Sequence, residues 1–227
     1  MQATLGIGVA ILRGLDALLY SGLALLLLLV CLLGGRFPGD LPDSLLCLPM
    51  VALAWATWQL PHDWPGQELW GLRQSALRVS ALVFAAFSTP AIWWLSYPFQ
   101  PYLLANFILC LLAGATTCLQ VVLILDLLSH ALELARLRQV TRVLRFMVLY
   151  LVGIPVVSVS VAGVILGISK GTPVYEAFVV LKLIVPLWVL HLPLLPLALV
   201  LITLAWARHQ VLLRLLQGCI SRLISCQ

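Results

Sequence analysis

Charge is what this chain has least of. Of its 227 residues, 9% are charged and 63% hydrophobic, and the mean hydropathy is +1.12. A soluble domain carries about 25% charged residues. So few cannot cover a water-facing surface, which excludes an ordinary globular domain and leaves lipid as the solvent. Chemical motifs are missing as well. There is no His-Glu-x-x-His, no Gly-x-Ser-x-Gly, no phosphate loop and no Asp-Asp-x-x-Asp cluster. The six cysteines form no Cys-x-x-Cys pair, which argues against a zinc site or a thioredoxin-like redox centre, and they read as small packing residues. No Lys/Arg-rich tail and no interleaving of basic and aromatic residues outside the apolar runs points to nucleic acid.

What is present is a series of long apolar runs. They predict an all-α, polytopic integral membrane bundle, a single domain over 1–227. Spans are expected at about 17–33, 45–60, 79–95, 103–128, 146–168 and 178–206, followed by an amphipathic tail, 207–227. The first run, after Arg13, is too long for a signal core and lacks an Ala-x-Ala cleavage site, so it is expected to be a retained span. The second run reaches about 24 Å, short of a hydrocarbon core of about 30 Å. The bundle therefore has six spans, or five if this run turns back. Residues 67–78 look amphipathic, with Leu69, Leu72, Ala76 and Val79 on one face, and predict an interfacial helix feeding the third span.

The net charge of +5 comes from 13 Lys+Arg against 8 Asp+Glu. With six spans, ten arginines fall on the side of the 129–145 loop and the tail, against Arg36 and Lys170 on the other. That bias places the loop and the C-terminus in the cytoplasm, most simply at a bacterial inner membrane. Arg138, Arg142 and Arg145 on one helix face, with Arg208, Arg214 and Arg222 in the tail, suit anionic lipid headgroups.

Polar residues that carry chemistry are few. His191 falls mid-span among Pro186, Pro193 and Pro196. It reads either as a residue bonding a carbonyl freed at a kink or as part of a substrate or proton site. Asp126, His130 and Glu133 follow i, i+4, i+7 spacing. They read as a cation-binding or proton-relaying stripe, or as partners for Arg142, Arg145 or Arg208. Haem is disfavoured because no other histidine falls at the depth of His191, and no cofactor is expected. Gly163 and Gly167 form a Gly-x-x-x-Gly packing face. Cys31 and Cys47 end adjacent spans and are expected to stay unbridged. The function expected on this basis is a non-catalytic structural or accessory subunit among other membrane subunits, or a homo-oligomer. The alternative is a small transporter or channel component built on the proline-broken sixth helix.

Overall fold

The computed structural model describes residues 2–33, 43–62, 64, 68–96, 101–158, 160–161 and 194–225. Every element among them is helical: α1 (Gln2–Leu33), α2 (Asp43–Leu46), α3 (Leu48–Trp58), α4 (Glu68–Ser96), α5 (Pro101–Ala131), α6 (Ala135–Val148) and α7 (Leu194–Ser225). Five stretches are long and apolar enough to cross a membrane: Gly6–Cys31, Glu68–Trp93, Ala105–Ala131, Ala135–Ser158 and Leu194–Gly218. The chain is thus an all-α, multi-pass membrane bundle. Five long helices are described rather than six, because the second run folds as two shorter helices.

Pairings between helices fix their directions. Gly8 lies against Leu215, Asp16 against Arg208 and Gly22 against Leu201. The residue numbers of each pair add to nearly the same value, so α1 and α7 run antiparallel over about 21 Å. Helices α4 and α5 pack most extensively of any pair. Phe84 meets Gly114 there, and Ala81, Ala113 and Thr117 are buried. Small residues let the two backbones approach closely.

The second run also crosses the bundle, although α3 alone rises only about 16 Å. Its Leu60 end touches Gly14 of α1, and its Cys47 end packs with Ile92 of α4 and Leu28 of α1. Residues 43–60 therefore run antiparallel to α1, from the level of Leu28 to that of Gly14. Cys31 is exposed with a free thiol. Cys47 is buried, its Sγ 3.3 Å from Thr89 Oγ1.

Three boundaries differ from the sequence expectation. First, α1 begins well before residue 17, with Arg13 and Asp16 inside the helix. Second, residues 68–78 are no separate interfacial helix but the first three turns of α4. Apolar residues stand on both of their faces. Leu69, Leu72 and Val79 are exposed, while Trp70, Gln74 and Leu77 are buried. In lipid an apolar face can also turn outward, and polar groups find partners within the bundle. Third, the expected tail continues the preceding helix without a break. Val211 is buried in this part and Leu215 packs on the core, so the apolar stripe docks on α1.

One further irregularity has a cause in the sequence. Pro155 has no N–H to donate, and its ring would collide with the carbonyl of Leu151 in a regular helix. A π-helical turn, Leu149–Gly153, stands immediately before it and opens the backbone at that point.

Candidate functional site at the arginine-bearing end

These directions bring the N-terminal half of α1, the α3–α4 connection, the α5–α6 turn and the C-terminal half of α7 to one end of the bundle. The arginines of the described residues all stand there: Arg13, Arg73, Arg78, Arg136, Arg138, Arg142, Arg145, Arg208, Arg214 and Arg222. Polar side chains tie the helices together at three places.

The first is between the first and last long helices. Arg208 Nε donates to Asp16 Oδ1 and forms an ion pair with it across 192 positions of sequence. From the sequence, Arg208 is a lipid-headgroup contact or one of three possible partners for the Asp126 stripe, and Asp16 has no role; the structure instead pairs the two. The one signal available was a carboxylate three residues after Arg13, at the edge of an apolar run, where a charge needs a partner.

The second is at the end of α3. Gln74 Nε2 donates to the Leu60 carbonyl at 2.6 Å, and Arg78 Nη2 donates to the same oxygen at 3.1 Å. The last carbonyls of a helix have no intrahelical partner, and these two side chains of α4 satisfy one just beyond it. The Arg78 guanidinium also lies 4.7 Å from the ring centroid of Trp58, within cation–π range. Beside it Trp70 donates from its indole nitrogen to the Pro61 carbonyl, and its ring meets that of Trp64 edge to face.

The third is the α5–α6 junction. Helix α5 stops at Ala131. The Glu133 N–H reaches back to the His130 carbonyl, and the Leu134 N–H to that of Ser129. Glu133 itself has φ 50. This is the Schellman end of a helix, with glutamate at the left-handed position that usually holds glycine. The shared helix face expected for Asp126, His130 and Glu133 therefore extends only to His130. Glu133 has left the helix and is exposed in the turn. Across the turn, α6 buries Leu137, Thr141, Leu144 and Val148 at helical spacing against its neighbours. Thr141 Oγ1 lies 3.0 Å from Asp126 Oδ1 and 3.0 Å from the Arg138 carbonyl, either of which can accept its proton. Asp126, His130, Arg138, Thr141, Arg142 and Arg145 surround a pocket of about 150 Å³.

Hydroxyls elsewhere along the helices behave differently. Ser21, Thr57, Ser80, Ser88, Thr117, Ser160 and Thr203 each donate to a carbonyl three or four residues back in their own helix. Gln120 Oε1 is buried and has no hydrogen-bond partner among the described residues. Within the same residues no group of three or more His, Cys, Asp or Glu side chains is arranged to hold a metal ion. His191, Gly163 and Gly167 lie outside the described residues, as do Pro186 and Pro193. No protein-family model, curated protein or solved structure matches the chain.

Proposed function

We propose that this chain is a non-catalytic subunit of a larger inner-membrane assembly, with its arginine-bearing end in the cytoplasm. The observation that carries the reading is how the polar groups are used. Most hydroxyls inside the apolar part are bonded to their own helices, with Thr89, which meets Cys47 of the second run, an exception, and side chains at the arginine-bearing end join helix to helix. A scaffold needs that arrangement; a catalyst needs polar atoms facing a shared substrate. Large apolar side chains such as Tyr20, Trp55, Leu72 and Ile202 stand outward and suit either lipid or another helical subunit.

Purification in a mild detergent, followed by native mass spectrometry, tests the assembly. Further membrane chains in fixed stoichiometry are expected; a lone chain that catalyses transport in liposomes overturns the reading. Orientation is tested separately with Val140→Cys, an exposed position on α6. An impermeant thiol reagent is expected to spare it in intact cells and to label it after lysis.

A small transporter component is the second reading. It draws on a cavity of about 350 Å³ between α1, α4, α5 and α7, lined almost wholly by apolar residues including Leu25, Phe84 and Leu201. Such a lining favours an apolar cargo over an ion.

A further inference from the structure

We infer that the α5–α6 pocket is a binding site for the phosphate of one anionic phospholipid. Arginines at a membrane surface attract anionic headgroups in general. The arrangement here is narrower than that and is specific to one side of one helix.

Arg138, Arg142 and Arg145 follow i, i+4, i+7 spacing, so they stand in a row on α6. The row lies about one residue round the helix from Leu137, Thr141, Leu144 and Val148, which pack inward. The arginines therefore flank the α5–α6 contact, and the pocket opens along it between them and His130. Three guanidinium groups face one carboxylate there, an excess of positive charge even with the histidine neutral. The carboxylate is Asp126, which Thr141 approaches at Oδ1. Arg138 Nε is buried and has no hydrogen-bond partner among the described residues. A buried donor on a charged group is costly to leave unmade, and an oxyanion in the pocket would satisfy it. Guanidinium groups offer forked donors that match phosphate oxygens.

The same helix supplies a place for the rest of a lipid. Continuing the row from Arg142 by four and seven residues reaches Phe146 and Leu149, which are 50% and 42% exposed. Both belong to the stretch Ala135–Ser158 that is long and apolar enough to cross the membrane. A phosphate held at the arginines thus has apolar surface directly below it for acyl chains, toward the bilayer centre. A soluble phosphate compound would have no use for that surface, which is why the occupant is assigned as a lipid.

The test uses the full chain in detergent, exchanged against phosphatidylglycerol or phosphatidylcholine, with retained lipid counted by native mass spectrometry. One phosphatidylglycerol is expected to stay bound under conditions that strip phosphatidylcholine. Arg142→Gln, an exposed position that folding tolerates, is expected to weaken retention about fivefold, and Arg138→Gln with Arg142→Gln about 25-fold. Arg136→Gln, exposed on the same helix but outside the pocket, is expected to leave retention unchanged. Circular dichroism and gel filtration verify that each variant is folded. Equal retention of the two lipids overturns the site, as does an equal loss in the Arg136 variant, which would indicate diffuse surface attraction. Displacement of the lipid by millimolar inorganic phosphate would assign the pocket to a free phosphate and overturn the lipid.

Discussion

Replacing Gly14 with alanine asks how closely α1 and the end of the second run are fitted. A Cβ built there meets Leu60 Cδ2 at 2.6 Å, Cγ at 2.9 Å and the Leu60 Cα at 3.1 Å. The side-chain tip can turn away. The Cα cannot move freely, because the Leu60 carbonyl is held by Gln74 and Arg78. Overpacking of this kind costs about 1–3 kcal/mol. Alanine recovers up to about 1 kcal/mol as the better helix former. The expected net effect is a loss of up to about 2 kcal/mol, read as an earlier midpoint than that of Gly6→Ala when the protein is unfolded by titrating dodecyl sulfate into mixed micelles. Three other glycines of α1 calibrate the result. Gly6 has nothing within 4 Å of its added Cβ, so Gly6→Ala should be neutral or slightly stabilising. Gly8 and Gly22 meet only side-chain carbons of Leu215 and Leu201, which can shift, and should fall between. If Gly14→Ala unfolds no earlier than Gly6→Ala, the close approach of Leu60 to α1 is refuted.

Other side chains give sharp expectations. Asp16→Arg and Arg208→Asp should each lower the yield of folded protein by leaving a charge at the α1–α7 contact without its partner, and the double exchange should restore much of it; a double variant no better than either single one would sink the pairing. Gln74→Leu should cost only about 1 kcal/mol while Arg78 still donates to Leu60. Adding Arg78→Met should cost more than the sum of the separate changes, since the carbonyl then has neither donor; strict additivity in the same titration would argue against the shared acceptor. Glu133→Gly should stabilise by about 1 kcal/mol, because glycine adopts the left-handed backbone without the side-chain clash. A later unfolding midpoint is the expected reading and an earlier one is its refutation.

The apolar runs announced the helices, since a stretch of some twenty apolar residues has few other uses. They did not announce which face points inward. Around Leu69–Val79 both faces carry apolar residues, Leu69, Leu72 and Val79 outward and Trp70 and Leu77 inward beside Gln74, so hydrophobicity alone does not pick the inner one. The second run shows a different limit. Its length alone suggested either a crossing or a return, and the contacts of Leu60 with Gly14 and of Cys47 beside Leu28 were needed to place it along the bundle. The arginine-bearing end was legible from charge clustering, and Asp126, His130 and the α6 arginines do meet there. Glu133 was misplaced because nothing local marks a helix end when glutamate occupies the position favoured by glycine. Asp16 and Arg208 stand 192 positions apart, and no periodicity links them.

That last contact has a consequence for synthesis. Arg208 leaves the ribosome 192 residues after Asp16. Until α7 arrives, Asp16 lacks its cation and the notches at Gly8 and Gly22 lack the leucines that fill them. A chain stalled before residue 208 carries an uncompensated carboxylate in α1. Latching of α1 against α7 therefore waits on the synthesis of residues 194–215.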